Sequence, residues 1–484
     1  MAQFDDDTEE CLLEVGNKST KFRRRICPVS FRLFLKLSVF CLLFVIAAIY
    51  ILSQAKSFGV TIPSALSSIY KTPPFKRHKN TEHLDCGRIM ENDQEYIKQE
   101  SSRRVAHVVD PNWPMSCRDI KARNYFPATP LSKEEQEFPI AFARAVYEDY
   151  NFLETELAAI YQPQNYYCYA IDKKASETFH NRIKSIASCF GNVYVTAHEW
   201  SMWGGHNMTF SHLECMDVLT KNGQKWKYLV LQQNYDVATK TNEELVQIYK
   251  WMQGANDVQI RNTKPERINH VNKSWTFEAL KLFKNETRNL VQYNSRPAEL
   301  DFAEGYVQSS LSREMVDFIV NDLNVTKMIL QLEDSTFAVD EIFTQTLQAT
   351  DALEAPGGFT HSCLDRGMAV HHWSRFHLWG VAGCHSKLQY HYLCVFGIED
   401  LVPYFNNTNH LFHYKMVSTM DFGAIDCWHE TLYNRTHFER GTHRLDSSAY
   451  LNHPLVRFQV EKKKNGVVDL SKFDCSTGNA PFLP

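Results

Sequence analysis

The pattern of hydrophobic and polar positions changes period repeatedly between residues 138 and 233. FPIAFARAV (138–146) is an apolar run of strand length, whereas NFLETELAAIY (151–161) spaces its apolar residues as one helix face would. YYCYAI (166–171) reads again as strand and SETFHNRIKSIASCF (176–190) as helix. VYVT (193–196), FSHLECMDVL (210–219) and YLVLQQ (228–233) continue the alternation. Strands alternating with helices predict an α/β domain built on a largely parallel sheet. Ligands of such sheets sit beyond the C-terminal strand ends, near the point where strand order reverses. Asp172, after the second strand, and Asp236, after the fourth, are placed there; a single acid in that position is also a common turn residue. Beyond residue 300, SREMVDFIVNDL (312–323) predicts a helix with Ser312 as its N-cap and Glu314 in its first turn. In QLEDSTFAVDEIF (331–343), Asp340 is expected to cap a second helix with Phe343 and Leu347 on one face, a role that does not require Glu341.

A different pattern marks the N-terminus. From Leu37 to Leu52 no side chain is charged, and Phe31 to Leu52 contains only Arg32 and Lys36, both able to reach the headgroups. Lys18, Lys21, Arg23, Arg24 and Arg25 precede the run, while residues 53–67 hold only Lys56, so the positive-inside rule leaves the N-terminus cytosolic. The expected organisation is a cytosolic tail (1–30), a retained type II signal-anchor helix (31–53), a lumenal stem (54–130) broken by Pro73, Pro74, Pro111 and Pro114, and a catalytic domain (131–484). The run is long for a signal peptide and has no clear small-residue cleavage site after it.

Composition narrows the partners. With 44% hydrophobic and 13% aromatic residues the chain can build a large core. A net charge of −4, with no long basic run interleaved with aromatics, argues against nucleic-acid binding. Ten of the 13 cysteines follow the apolar run, an even number suited to disulfides in an oxidising compartment. Asn207, Asn272, Asn285, Asn324, Asn406 and Asn434 begin N-glycosylation sequons on the same side.

Several chemistries find no motif. The only D-x-D is Asp5–Asp7, on the cytosolic side, and there is no G-x-S-x-G, H-E-x-x-H or P-loop. His371, His372, His377, His385 and His391 with Cys384 and Cys394 raise the possibility of zinc, but a Cys384–Cys394 bridge fits an oxidising lumen better.

FPIAFARAV, AIYQPQNYYCYAIDKKASETF, IASCFGNVYV, LECMDVL, KYLVLQQNYDVATKTNEELV, STFAVDEIFTQTLQ, SRFHLW and CVFGIEDL occur in an order that resembles the core-2/I-branching β-1,6-N-acetylglucosaminyltransferases, a family that also contains protein xylosyltransferases. The resemblance spans about residues 117–435. It implies a GT-A-type, Rossmann-like fold and metal-independent, inverting transfer from a UDP-sugar, with no cofactor. It gives Glu341 the role of general base, taking the acceptor hydroxyl's proton as the oxygen attacks the anomeric carbon. At a helix start the macrodipole lowers the pKa of such a group, while burial raises it. The family's basic pair for the leaving diphosphate falls on His391 and Lys415. His391 departs from the family's Arg and lacks a guanidinium fork, so activity rests partly on whether histidine serves there; Lys387 is a further cation within sequence reach. Asp172 and Trp203 match positions near the nucleotide, the Trp replacing a Tyr. Lys264, Arg267 and Trp379 match acceptor-sugar positions, and Gln259 falls where the family has an acceptor-binding Glu. The resemblance also implies the pairs Cys117–Cys189, Cys168–Cys215, Cys384–Cys394 and Cys86–Cys427, leaving Cys363 and Cys475 able to pair. The expected protein is a Golgi type II membrane enzyme transferring N-acetylglucosamine from UDP-GlcNAc to a glycoprotein O-glycan. The alternatives are a non-catalytic lumenal glycan- or nucleotide-binding protein on the same fold, or a transferase using UDP-xylose or UDP-glucuronate.

Overall fold

Alternation along the chain becomes a five-stranded sheet in the computed structural model. The model describes residues 72–108, 110–221, 224–268, 273–334 and 338–476. The expected signal-anchor (31–53) lies outside them. Among the described residues no helix is long and apolar enough to cross a membrane. β1 (Ile140–Val146) pairs in parallel with β2 (Tyr166–Ile171) on one side and β4 (Tyr228–Gln233) on the other, and β3 (Val193–Val195) extends the sheet beyond β2. Helices α1 (Tyr150–Ile160), α2 (Glu177–Ser188) and α3 (Met208–Lys221) make the crossovers. β5 (Val237–Ala238) leads away from β4, and β6 (Ser310–Ser312) closes the other edge of the sheet as its antiparallel strand. The fold is thus the mixed α/β arrangement expected.

The strands divide their side chains by pleat. Phe142, Val146, Tyr167, Tyr169 and Ile171 enter one core, while Ala141, Ala143, Cys168, Ala170, Leu229 and Leu231 enter the other. Small residues on that second face let α3 approach closely, and Cys168–Cys215 joins β2 to it covalently. Four further disulfides are present: Cys86–Cys427, Cys117–Cys189, Cys363–Cys475 and Cys384–Cys394.

The compact unit begins at Pro73. Much of the segment assigned from sequence to a stem therefore packs on the sheet domain. Helices Cys86–Met90 and Gln94–Ser101 bury Ile89 and Ile97, with Asp85 and Asp93 as their N-caps. Two other expectations change. Ser312 does cap a helix, accepting the Met315 N–H, but that helix covers only Arg313–Asp317 before widening into a π-turn over Phe318–Asp322. In α4 (Asp340–Ala349), Asp340 is not the cap; it lies inside the first turn, preceded by Val339, which makes no side-chain cap bond. The downstream chain adds β7 (Phe376–His377), the hairpin β8 (Gln389–Tyr390) with β9 (Leu393–Cys394), β10 (Phe412–Tyr414) and α5 (Ser418–His437). β10 bridges β7 and β5 in a second, three-stranded sheet. Of the sequon asparagines, Asn285 and Asn324 are exposed, Asn207, Asn406 and Asn434 half-buried, and Asn272 outside the described residues.

Closing a loop as long as the 112-residue separation of Cys363 and Cys475 removes much unfolded-chain entropy. Its loss costs up to about 5 kcal/mol. Scanning calorimetry of the C363S/C475S double variant should show a clearly lowered Tm; an unchanged Tm would contradict the pairing.

Candidate active site

Beyond the C-terminal ends of β1, β2 and β4 opens a cleft of about 780 Å3, lined among others by Tyr147, Glu148, Asp149, Asp172, Lys174, Arg182, Tyr235 and Tyr390. It lies where strand order reverses about β1, the expected place for a ligand. The buried Asn234 shapes its rim, its side-chain oxygen accepting the backbone N–H groups of Tyr147 (2.8 Å) and Glu148 (3.2 Å). Asp172 is buried and accepts the Lys174 N–H at 2.8 Å, so it is both a turn acid and part of the cleft. Asp149 caps α1 through the Phe152 N–H and also accepts the Ser418 N–H; burial pushes its carboxyl up to about 6. Asp236 does not line the cleft. It is buried against Arg375, 3.6 Å away, and burial raises its pKa despite that guanidinium. A second cavity, of about 810 Å3 beside residues 73–80, holds none of the residues nominated from the sequence.

Lys415 stands behind the cleft, 1% exposed. Its ammonium lies 4.6 Å from the centre of the Tyr390 ring and 4.9 Å from that of Tyr414, and makes no ion pair or hydrogen bond among the described residues. Burial depresses its pKa to about 8, with Arg375 adding to the effect and Glu148 opposing it. Two cation–π contacts contribute up to about 2 kcal/mol each. Taking an ammonium out of water costs several kcal/mol, so an anion brought to Lys415 would find a strong partner. Arg375 is the second buried cation here, stacked 3.8 Å over Tyr414 and donating to Gln233 Oε1 at 3.2 Å.

His391 lies beside the cleft rather than in its lining. It sits exposed at the tip of the β8–β9 hairpin, its ring stacked on Tyr390 at 4.0 Å, and does not line the cleft. His391 and Tyr392 form the two-residue turn with φ of 49° and 63°. This geometry suits a hairpin but costs roughly 1–2 kcal/mol for each L-residue lacking glycine's freedom. Lys387 is also exposed and away from the cleft lining.

A second cluster forms around α4. Glu341 is half-buried in its first turn, and Arg267 bridges it (3.4 Å) to Glu304 (2.9 Å) while donating to the Ala338 carbonyl. Burial raises the Glu341 pKa; Arg267 and then Arg261 partly oppose this. The dipole argument alone would have given the wrong direction. Asp340 is buried, and burial followed by the neighbouring Glu341 pushes its carboxyl up to about 8. The Glu341 carbonyl accepts the Gly305 N–H at 2.9 Å, placing Glu304–Tyr306 along the helix start. Tyr306 takes the Gln259 side-chain oxygen on its N–H and the Trp379 indole N–H on its hydroxyl, both at 3.2 Å. Lys264 lies exposed a turn before Arg267.

Trp203 and Trp379 are 68% and 60% exposed, so neither is a core tryptophan. The loop carrying Trp203 joins the two regions: Trp200 bridges to Asp172, and the Gly204 carbonyl accepts the Ala338 N–H just before α4. Structure therefore gathers Glu341, Arg267, Lys264 and Trp379 at one place and Asp172 at another, with Trp203 on the connecting loop and Lys415 screened. Sequence reasoning passed over Arg375, Glu148, Tyr306 and Tyr390, although Arg375 stands in SRFHLW and Glu148 lies two residues past the end of β1. Cys384, Cys394 and Asp400 come close enough together for a metal, but both cysteines are consumed by their disulfide.

Comparison with known proteins bears on this geometry. The sequence model described as Core-2/I-Branching enzyme matches residues 140–403. The chain is 30% identical over 323 residues to a Bos taurus β-1,3-galactosyl-O-glycosyl-glycoprotein β-1,6-N-acetylglucosaminyltransferase, covering 65% of this chain and 74% of that enzyme. It is 29% identical over 301 residues to the Homo sapiens N-acetyllactosaminide β-1,6-N-acetylglucosaminyl-transferase, covering 59% and 70% respectively. Among solved structures, the mannosyltransferase Ktr4p from S. cerevisiae shares 10% identity over 56% of this chain and 79% of that one; its TM-score of 0.22 is too low to carry an argument.

A Cβ at Gly305 would stand 2.2 Å from the Gln259 carbonyl oxygen. Gly305→Ala should therefore push Glu304–Tyr306 off its neighbour and destabilise the fold by about 1–3 kcal/mol. Denaturant unfolding measures this, and an unaltered midpoint would show that the contact is not as close as described.

Proposed function

The chain belongs to the core-2/I-branching enzyme family, and we propose that it transfers N-acetylglucosamine from UDP-GlcNAc to an O-glycan, inverting the anomeric centre without a metal. As a glycosyltransferase of this family it needs a base for the acceptor and positive charge for the leaving group. The observation that carries the reading is Glu341: a half-buried carboxylate of raised pKa, oriented by Arg267, in a cluster that also contains the exposed Trp379.

In the proposed reaction the acceptor's 6-hydroxyl oxygen attacks C1 of the donor sugar from the face opposite UDP. Glu341 takes the hydroxyl proton as the new C–O bond forms. The bond from C1 to the β-phosphate oxygen breaks, and its electron pair leaves with UDP. Lys415 and Arg375 supply the positive charge that a D-x-D-bound metal would otherwise provide. Trp379 offers its face to the acceptor ring, with Lys264 and Arg267 for its hydroxyls. Asp172 holds the nucleotide from the cleft, and the parallel sheet with its cleft at the C-terminal edge supports the GT-A-type reading.

The proposed location is the Golgi membrane, with the catalytic unit lumenal. The apolar run 31–52 behind a basic segment and the five disulfides support it.

Loss of one base typically costs about 10²–10⁴-fold. Glu341→Gln should thus fall in kcat by that order with UDP affinity retained, measured by UDP release and calorimetry; full turnover would remove Glu341 from the role. The pH profile gives a second check. A protonated Glu341 cannot accept the hydroxyl proton, so transfer should fail as pH drops through its raised pKa. Because Arg267 holds that pKa down, Arg267→Leu should move the acidic limb to higher pH. A limb that stays put would contradict the coupling.

A further inference from the structure

Lys415, the cation assigned above to the donor's diphosphate, is not on the surface of the cleft that would receive the donor. Tyr390 is the residue in between, since its ring lines the cleft and also covers the Lys415 ammonium at 4.6 Å. We propose that Tyr390 is a positioning residue of the donor site: it screens Lys415 from the cleft until a nucleoside diphosphate arrives, and its displacement is what lets the diphosphate reach that cation. The inference rests on the reading of Lys415 given under Proposed function.

What holds Tyr390 in place is explicit. Its hydroxyl donates to Glu148 Oε1 at 3.0 Å, and the buried Tyr235 donates to the same oxygen at 3.0 Å. Tyr235 also meets the Tyr390 ring edge-on, centroids 6.2 Å apart. Glu148 therefore keeps one tyrosine donor if Tyr390 leaves, so opening does not strip the carboxylate of its partners. The hairpin bearing Tyr390 is firmly anchored at its base: the Cys384–Cys394 disulfide enters β9, and the Cys394 N–H donates to the Leu378 carbonyl at 3.0 Å. Its tip is different. His391 and Tyr392 both adopt left-handed backbone there, and Tyr392 is 80% exposed. A fixed base and a strained, exposed tip confine movement to the turn and to Tyr390, the strand residue next to it. The same hairpin touches the acceptor cluster, because the Gly380 N–H, next to Trp379, donates to the Tyr392 carbonyl at 2.8 Å. Displacement of Tyr390 by the donor would thus be felt beside the acceptor's tryptophan.

The test uses the purified full-length protein. A brief pulse of acetic anhydride acetylates accessible lysines, and peptide mass spectrometry quantifies the product at Lys415, with and without UDP. The variants are Tyr390→Phe, which keeps the ring and loses the hydrogen bond, and Tyr390→Ala, which loses both; melting curves confirm that each is folded. Native Lys415 should label slowly. Tyr390→Phe should raise the rate up to about tenfold, the shift expected from losing one net hydrogen bond. Tyr390→Ala should raise it further, and UDP should protect Lys415 in all three proteins. Equal labelling in native, Phe and Ala forms would overturn the screening role, whatever UDP does. Faster labelling in the variants without protection by bound UDP would instead overturn the assignment of Lys415 to the diphosphate, and with it the claim that Tyr390 admits that group.

Discussion

The parallel pairing of β1 with β2 on one side and β4 on the other brings to one edge the residues that leave each strand: Tyr147 and Glu148, Asp172, and Asn234 to Asp236. That edge exists because alanines and Cys168 on one face of the sheet admit α3 closely, while large aromatics on the other face carry the main core. Helices α1 and α2 return on the aromatic face and α3 on the small-residue face, which places helices on both sides of the sheet. Everything assigned to the donor depends on this edge. The acceptor cluster is reached from it through the Trp203 loop and through the β8–β9 hairpin, both of which touch the two regions.

Charge is distributed with the same economy of position. Glu341 has Arg267 within reach, and burial keeps its pKa above the ordinary value, in the direction that suits the proposed role of proton acceptor. Its neighbour Asp340 holds a proton up to about 8, which spares the helix start a second negative charge. On the donor side the positive groups are buried rather than displayed: Arg375 against Asp236, Lys415 behind two tyrosines. The exposed His391, by contrast, is a turn residue whose ring rests on Tyr390.

Local periodicity was enough to read the sheet and its crossovers, because buried parallel strands and amphipathic helices impose distinct spacings within a few residues. It was not enough for Asp340, where a helix-start acid looks the same whether it is solvated as a cap or packed inside the first turn. Nor did it reveal that residues 73–130 join the folded unit, since short capped helices such as Gln94–Ser101 leave little periodic signal. Arg375, Glu148 and Tyr390 stayed hidden for a third reason. Their importance lies in contacts across long separations, such as Glu148 with Tyr390 over 242 residues, which no local pattern encodes. Glu341 and Trp379 were named only because of family resemblance, and geometry then placed them in one cluster.

The central claim is metal-free transfer by this chain, and the most direct measurement is UDP release by the purified full-length protein in EDTA. UDP-GlcNAc, UDP-xylose and UDP-glucuronate would each be supplied with and without an O-glycan acceptor. The account predicts release from UDP-GlcNAc that is stimulated by the acceptor and unaffected by the chelator. Release that requires an added divalent cation, or acceptor-stimulated release only from another donor, would contradict it.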